Sequence, residues 1–537
     1  MYKILLLFTI FLAFFLRVYN VGSNPPSVYG DEIAFAWNAY SVMLTGADEY
    51  GELHPLQFRS FGDYKSPVPV YLLVPFIRIF DLNAFSIRLV VVLAGTATVA
   101  ASYLMGKFLG NKKIGLLVAF FMAISPWHTH LSRGFFEATI AQLPFLLGIY
   151  FYVSSKGKIW KLILSSISFA LSLYTYFTPR VVVPLFILYL LFMSRKQIQI
   201  WGVKKLLYFI VIFSIFAMPL IKLTVFDQGL ARFTKLQGHK EEQIGEVVNQ
   251  ERATSSLPDK LKYVFHNKAV IWLRQVKNDY LEHFSLNFWF LYGDNSLRYF
   301  TGNMGMFYLI DLPFVLLGIG FLLSRRNRIA IFVFFWLLLA PLPTALVGRS
   351  FSVRSLAMLP APFLFTSFGV IYLISEVHKK FLFFSSALLI AIVFLYSFSL
   401  GRTLLTYHLE YPNYAATWWG WENWSAIHYG LEREAQYDHI FISDYYSGSA
   451  LAYAFYGKFD PIRYREAIAN PVTIADRKLV NMGKFYFGSL DLDKERLRNG
   501  IVPLKTLYIG RPEETDGAGT INTPDNTRIL FKIHIFQ

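Results

Sequence analysis

The chain has 537 residues, of which 55% are hydrophobic and 18% aromatic while only 16% are charged, and its formal net charge is +16. This composition excludes an ordinary soluble enzyme and favours a membrane protein. Lys and Arg retained in cytoplasmic loops account for the positive charge, so no nucleic-acid partner is expected. Because the chain has no cysteine, it forms neither disulfides nor thiolate metal sites and has no cysteine nucleophile.

The apolar segments predict a polytopic α-helical membrane protein. A transmembrane helix needs about 20 mostly apolar residues, and this rule predicts about eleven of them. They lie near 3–19, 86–108, 113–131, 138–154, 159–177, 180–194, 204–224, 306–323, 329–347, 355–374 and 380–400. The first is predicted to be a retained span, because no signal-peptide cleavage pattern follows it.

A further apolar run, Val68–Phe80, decides the topology of everything after it. It is short, contains two prolines and is interrupted by Arg78. If it does not cross the bilayer, the basic clusters between the later spans all fall on one side, as the positive-inside rule requires. We therefore predict a re-entrant or surface-lying helix, which places the outer loops 20–85 and 225–305, and the chain beyond 401, outside the cytoplasm.

The chain is predicted to divide near residue 400. Residues 1–400 form the transmembrane domain, whereas hydropathy falls in 401–537 and short β-type runs are separated there by Gly, Pro and Asp. The second part is therefore predicted to be a small soluble α/β domain on the extracytoplasmic side. The predicted location is a plasma (inner) membrane, although an archaeal or endoplasmic-reticulum membrane also fits.

An acidic pair, Asp31-Glu32, lies in the first outer loop just beyond the first span. Carboxylates near a bilayer surface can accept a proton or hold a divalent cation. The alternative is that both residues cap the helix Ile33–Leu44, whose N-terminal end favours negative charge. The pair alone leaves both interpretations open.

Basic residues follow at the same face of the membrane. Lys65 stands just before Pro67, which starts the membrane-facing helix, and it is well placed for a lipid-linked phosphate. An interfacial lysine reaching to headgroups is the alternative. Arg88 opens the second span, and Arg133 with Glu137 follows the third, where pairing at helical spacing is the competing account.

Two further arginines lie at the outer boundary, since Arg180 begins a span and Arg354 precedes another. A guanidinium can clamp a phosphodiester bidentately, but it can also anchor a helix. His128 could join Asp31 or Glu137 around a divalent metal, although no HExxH-type spacing is present. No cofactor is predicted with certainty, and a metal stays an alternative.

The order of these residues resembles the GT-C superfamily of polytopic glycosyltransferases, especially the branch of protein O-mannosyltransferases and lipid A aminoarabinose transferases. Members carry an acidic residue or Asp-Glu pair in a long first outer loop, then a Lys/His-x-Pro start to a short helix. An Arg opening the next helix and a Ser-Arg followed by a carboxylate complete the series. The matching segments are Asp31-Glu32, Lys65-Ser66-Pro67, Arg88 and Ser132-Arg133 with Glu137.

The sequence departs from the family pattern at one position and matches it more loosely in two segments. Most members have Asp where this chain has Glu137, so the role of that residue is less secure. Arg354 to Pro360 is similar to the Arg-to-Leu-Pro stretch of a late helix, and Tyr174 to Arg180 is similar to a Tyr/Arg-rich helix junction.

The resemblance implies an inverting transfer of one sugar from a polyprenyl- or dolichyl-phosphate carrier to an acceptor hydroxyl on the outer face. Asp31 would deprotonate or orient the acceptor hydroxyl, and Glu32 or Glu137 would share that task or bind a metal. The sugar stays open, as does the choice among protein, lipid and glycan acceptors.

The carrier phosphate is the leaving group in this reaction. Lys65, Arg133 and Arg354 would neutralise it as charge develops. Arg88 either joins them or holds the framework of the first loop. A transporter or flippase for a lipid-linked or other anionic substrate is the alternative function, against which stands the absence of repeat symmetry.

Overall fold

The structure is a computed structural model that describes residues 1–196, 202–222, 243–347, 351–474, 476–490, 503–515, 517 and 519–536. Its chain forms two compact units. The first consists of Met1–Arg17, Leu93–Ser132 and Phe136–Leu400, and the second of Val18–Val92, Arg133–Phe135 and Gly401–Gln537. The predicted division near residue 400 coincides with a unit boundary, but the second unit also contains most of the first outer loop. The predicted loop 225–305 begins outside the described residues.

Five helices in the described part of the chain are long and apolar enough to cross a membrane. They are Ala84–Leu109, Val203–Leu220, Arg328–Val347, Leu356–Lys380 and Phe383–Tyr414. Shorter apolar helices are Pro67–Phe80, Glu137–Val153, Ile159–Thr175, Pro179–Met193 and Asp311–Ser324. Further helices are Tyr2–Val18, Lys112–Ile124 and Pro126–Leu131. A helix thus occurs at every predicted position, whereas eleven crossings stay a prediction.

One predicted span, 113–131, is two helices in the structure. The break lies at Ser125, whose hydroxyl accepts a hydrogen bond from the backbone N–H of His128 at 3.2 Å. Pro126 follows as the first residue of the second helix. A proline is tolerated there because the N–H that it lacks would have no intrahelical partner.

Glycines allow two helices of the first unit to touch through their backbones. A Cβ atom on Gly318 would lie 1.9 Å from the carbonyl oxygen of Phe365, and one on Gly369 would lie 2.0 Å from that of Phe314. These residues belong to Asp311–Ser324 and to the helix that follows Pro360. Small residues at such crossings let membrane helices approach closely and gain dispersion contacts.

The first outer loop folds in the second unit as a helix, a hairpin and a second helix. These are α2 (Gly30–Thr45), β1 (Phe58–Ser60), β2 (Asp63–Lys65) and α3 (Pro67–Phe80), which follow α1 (Tyr2–Val18) of the first unit. Phe61 and Gly62, between the strands, both have positive φ angles, as a two-residue hairpin turn of type I′ requires. With 14 residues, α3 is about 21 Å long, less than the bilayer core of about 30 Å. The helix Asp311–Ser324, in a predicted span, has the same length, so whether α3 crosses stays a prediction.

The C-terminal part of the second unit contains a seven-stranded mixed sheet, ordered β4-β5-β6-β3-β7-β9-β8. The strands are β3 (His439–Ile442), β4 (Val472–Ile474), β5 (Arg477–Met482), β6 (Phe485–Phe487), β7 (Thr506–Gly510), β8 (Gly519–Asn522) and β9 (Ile529–Phe536). The central strand β3 runs parallel to both neighbours, and the remaining pairs are antiparallel. Helices Trp421–Leu431, Ser449–Tyr456 and Pro461–Ala469 accompany it. The predicted β-type runs therefore do form a sheet.

The close crossing of the two first-unit helices yields a test. We expect Gly318→Ala to lower the free energy of unfolding by about 1–3 kcal/mol, because the new methyl group overlaps a backbone carbonyl. Gly320→Ala is the matched control, since a Cβ atom there meets nothing within 4 Å. Alanine favours a helix over glycine at both positions. Thermal unfolding in detergent measures the difference, and equal midpoints would contradict the close crossing.

Candidate active site

The acidic pair occupies the first turn of α2, where the two neighbours meet different surroundings. Successive side chains of a helix point about 100° apart. The side chain of Asp31 is 42% exposed, whereas that of Glu32 is fully buried. Glu32 interacts with the cap, because its carboxylate accepts the backbone N–H of Tyr29 at 3.3 Å.

Glu32 and Arg88 form a buried, bidentate ion pair. Arg88 Nε lies 3.0 Å from Glu32 Oε1, and Arg88 Nη2 lies 3.0 Å from Glu32 Oε2. The guanidinium also donates to the carbonyl oxygens of Val21 at 3.1 Å and Pro25 at 2.9 Å. Glu32 Oε1 additionally accepts the backbone N–H of Phe135 at 2.6 Å. The pair thereby holds three separate parts of the second unit together, and its geometry favours a structural role.

Asp31 forms an ion pair with Lys65, 34 positions further along the chain. Lys65 is the last residue of β2, and its side chain is only 9% exposed. The ammonium also lies 5.6 Å from the ring centre of Phe35, one turn after Asp31. The hairpin therefore brings a buried cation to a carboxylate that solvent can reach, at the start of the apolar helix α3.

Arg133 is buried in the same unit. Its Nη2 donates to the carbonyl oxygen of Asn24 at 3.0 Å, and its guanidinium lies 4.9 Å from the ring centre of Tyr407. The guanidinium of Arg88 lies 5.5 Å from the ring centre of Trp419. Sequence reasoning missed these two aromatic partners as elements of the site, and the only signal was the aromatic-rich stretch around Trp419.

The structure thus places five predicted site residues in the second unit: Asp31, Glu32, Lys65, Arg88 and Arg133. The other four lie in the first unit: His128, Glu137, Arg180 and Arg354. Glu137 is the first residue of its helix. The guanidinium of Arg180 lies 3.8 Å from the ring centre of Phe177, so it stacks on an aromatic ring.

A pocket of the first unit contains Arg354. Its cavity volume is about 20 Å³, which is room for about one water molecule. Its lining is mostly apolar and comprises Ala138, Ala141, Gln142, Phe145, Tyr176, Thr178, Pro179, Val182, Val353, Arg354, Leu356 and Ala357. Arg354 and Glu137 both act electrostatically on the Tyr176 hydroxyl.

His128 is buried in the first unit beside an arginine. Its Nδ1 lies 2.8 Å from Nη2 of Arg17, whose guanidinium also donates to the carbonyl oxygens of Met122 and Ala123. Within the described ranges, no group of three or more His, Asp or Glu could hold a metal ion. The metal candidates Asp31, Glu137 and His128 therefore do not form such a group.

Comparison with known proteins gives a partial family match. Residues 64–221 match the family model of dolichyl-phosphate-mannose-protein mannosyltransferases, a segment that contains Lys65, Arg88, Arg133 and Glu137. No curated protein matches the chain significantly.

Solved structures share the fold at low identity. An Archaeoglobus fulgidus oligosaccharyltransferase complexed with Zn and sulfate has a TM-score of 0.51 and 14% identity over 84% of this chain and 61% of that chain. The same enzyme tethered to an acceptor peptide with the NVT sequon has a TM-score of 0.51 and 13% identity, covering 84% and 63%. The chain has the fold of the GT-C glycosyltransferases. The predicted resemblance is therefore confirmed, and the chain is an integral membrane protein.

The solved structures differ in how much of each chain the match covers. The chain spans only about three fifths of the length of the oligosaccharyltransferase. The match to ArnT from Cupriavidus metallidurans in the apo state is more extensive. It covers 99% of this chain and 96% of that chain, at 10% identity. Its TM-score is 0.49.

The buried ion pair predicts a large loss of stability on truncation. Glu32→Ala should lower the free energy of unfolding by about 3–5 kcal/mol, because it leaves the buried charge of Arg88 uncompensated. The double variant Glu32→Gln with Arg88→Met should recover much of this loss, since it removes both charges. Glu52→Ala, at an exposed position of the same loop, is the control. Unfolding in detergent measures all three, and a harmless Glu32→Ala would refute the structural role.

Proposed function

We propose that the protein is an inverting glycosyltransferase that moves one sugar from a polyprenyl- or dolichyl-phosphate carrier to an acceptor hydroxyl. The observation that carries the proposal is the pairing of the half-exposed Asp31 carboxylate with Lys65 at the start of α3. The GT-C fold and the match of residues 64–221 to dolichyl-phosphate-mannose-dependent enzymes support the donor class. The family match begins at residue 64 and so does not include the acidic pair Asp31-Glu32.

Asp31 is proposed as the base. Its carboxylate is the one member of the acidic pair that solvent reaches, so an acceptor hydroxyl can approach it. An ionised carboxylate accepts hydrogen bonds through both oxygens, and it can therefore hold Lys65 and receive the acceptor proton. The oxygen freed of that proton then attacks the anomeric carbon while the bond to the carrier phosphate breaks on the opposite face of the sugar.

Lys65 is proposed to stabilise the leaving phosphate. It lies two residues before α3 begins at Pro67, so the positive end of the helix dipole adds to the ammonium charge. The apolar surface of α3 gives the carrier's hydrocarbon chain a path beside the bilayer. Negative charge grows on the phosphate as the sugar leaves, and a fixed cation there lowers the barrier.

The remaining candidate site residues are assigned roles according to how far they are buried. Glu32, Arg88 and Arg133 have almost no exposed surface, so we assign them to the framework of the loop. Arg354, which lines the apolar pocket of the first unit, keeps its predicted role as a phosphate ligand. Glu137 is proposed to act on the acceptor side.

The proposed location is a plasma (inner) membrane with the site and the C-terminal domain on the extracytoplasmic face. The short helix α3 and the placement of basic clusters support this orientation. A protein acceptor is favoured over a lipid or glycan, because the matching family model describes protein mannosyltransferases. The related oligosaccharyltransferase has been crystallised with a tethered acceptor peptide, which supports the same choice.

Removal of the base is the decisive test. Asp31→Asn should lower kcat for sugar transfer from polyprenyl-phosphate-linked sugars by roughly 100-fold or more, the usual contribution of general-base catalysis. Glu52→Gln, an exposed acid of the same loop, should retain full activity. Release of polyprenyl phosphate from purified protein in detergent measures the rate. Full activity in Asp31→Asn would sink the assignment.

Replacement of the cation should affect the chemical step. Lys65→Gln should lower both kcat and kcat/KM for the donor by about 100-fold, because the lost charge interaction strengthens in the transition state. Lys458→Gln removes an exposed lysine that pairs with Asp81 and serves as the control. A rise in KM with kcat unchanged would instead show that Lys65 binds donor and transition state equally.

A further inference from the structure

A buried carboxyl group, Glu49, lies between the two elements that carry the ion pair. It belongs to the segment that joins α2 to β1. Its Oε2 accepts hydrogen bonds from Asn38 Nδ2 at 3.1 Å and Ser60 Oγ at 3.3 Å. The backbone N–H of Glu49 in turn donates to Asn38 Oδ1 at 3.0 Å. Asn38 and Ser60 are themselves fully buried.

The two partners of Glu49 are aligned with the two members of the ion pair. Asn38 lies seven residues after Asp31 on α2, which is two helical turns and the same face. Ser60 and Phe58 lie on the buried face of β1, with the exposed Arg59 between them. Phe58 stands directly opposite Lys65 in the hairpin register. Glu49 therefore connects the face of α2 that bears Asp31 to the face of the hairpin that bears Lys65.

We propose that Glu49 is a positioning residue, which fixes Lys65 against Asp31 by tying the hairpin to α2. The inference rests on the proposed function for the meaning of that ion pair. Glu49 itself touches neither member, and it acts only through Asn38 and Ser60. The contacts of Glu49 with Asn38 and Ser60 form a junction between α2 and the hairpin. The side-chain volume and hydrogen bonds of this junction limit how far β2, and with it Lys65, can move from α2.

Protonation of Glu49 strengthens this junction. Burial raises the pKa of its carboxyl to about 7, because loss of water outweighs the hydrogen bonds that it accepts from Ser60, Tyr50 and Asn38. The nearby charge of Asp48 raises the pKa further. At neutral pH the group is thus divided between its neutral and its charged form.

The surroundings of Glu49 contain more acids and phenols than cations. The titratable and charged groups that face it or its contacts are Asp48 and Tyr50 from its own segment, Arg59 from β1, and Tyr464 and Arg465 from the helix Pro461–Ala469. Arg59 lies over the ring of Tyr50 at 5.0 Å, and Arg465 donates to the backbone oxygen of Asp48 at 3.0 Å.

The direction of the pH effect follows from the raised pKa. A carboxyl whose pKa is higher in the folded state stabilises that state when protonated, fully below its ordinary pKa. This stabilisation is lost as the pH rises through about 7. Above that pH the buried carboxyl is an anion, and the cost of keeping this charge from water favours a looser junction and a less firmly held Lys65. The KM for the donor should therefore rise on the alkaline side.

The first experiment compares pH profiles. Glu49→Gln keeps the shape and an acceptor oxygen but cannot ionise. Between about pH 6 and pH 8, the KM for the donor should rise several-fold in the natural protein and stay flat in Glu49→Gln. Glu52→Gln should show the natural profile. A Glu49→Gln enzyme with an unchanged alkaline rise in KM would overturn the proposal.

The second experiment needs no sugar transfer. Acetylation of the full-length protein at one fixed pH, followed by mass spectrometry, measures how accessible Lys65 is relative to the exposed Lys478. Glu49→Ala should speed acetylation of Lys65 by roughly tenfold, because the lost hydrogen bonds free the hairpin. Glu52→Ala should leave the rate unchanged, and equal rates in Glu49→Ala and the natural protein would overturn the proposal.

The two outcomes are separable from the proposed function. If Asp31→Asn retains full transfer, the assignment of the base fails, yet the acetylation rates still report whether Glu49 positions Lys65. If Asp31→Asn is inactive and Lys65 stays protected in Glu49→Ala, the glycosyltransferase stands and only the role of Glu49 fails.

Discussion

The fully buried ion pair of Glu32 and Arg88 is the interaction on which the second unit depends. Two charges are withdrawn from water at a cost of several kcal/mol each, which is offset only when hydrogen bonds satisfy both groups. Here the carboxylate accepts two backbone N–H groups besides the guanidinium, and the guanidinium reaches carbonyls of the preceding loop. The start of α2, the loop before it and the helix that bears Arg88 are thereby fixed in one arrangement.

The neighbouring residue, Asp31, lies outside this buried arrangement. Asp31 stands one position before Glu32, and the helical rotation turns it from the interior to the surface of the second unit. A carboxylate on a rigid helix needs no reorganisation to meet a ligand. Glu32 of the framework and Asp31, the proposed base, therefore belong to the same turn of α2. A substitution at either residue should affect the position of the other.

Local patterns in the sequence were sufficient to predict where helices lie and that the C-terminal part contains a sheet, whereas the chemistry of the first loop stays a prediction. The break at Ser125 was missed, because hydropathy does not register a proline at the start of a helix. The division of the acidic pair into a buried and an exposed member was also missed. It depends on Arg88 and Phe135, which are 56 and 103 residues away in the chain.

Glu49 was not predicted either, because its surroundings include residues that are even farther away in the sequence. Glu49 stands between Asp48 and Tyr50 and is followed by Gly51, a composition typical of a solvated loop. Its burial depends in part on the helix Pro461–Ala469, more than four hundred positions later, where Arg465 binds the carbonyl of Asp48. Contacts of such separation leave no periodic trace in a single sequence, so residues that position a site are harder to predict than residues that form it.

The ion pair of Lys65 and Asp31 also has a consequence for selectivity at a membrane surface. A bare lysine beside a bilayer attracts every anionic headgroup, and phosphodiester lipids are abundant there. Pairing with a carboxylate cancels that attraction, so a singly charged headgroup gains little by displacing it. On the proposed function, the spent carrier is a phosphate monoester with nearly two charges, and it competes for Lys65 better than the singly charged donor does. The ion pair thus shields the site from ordinary lipids while it still responds to a doubly charged phosphate.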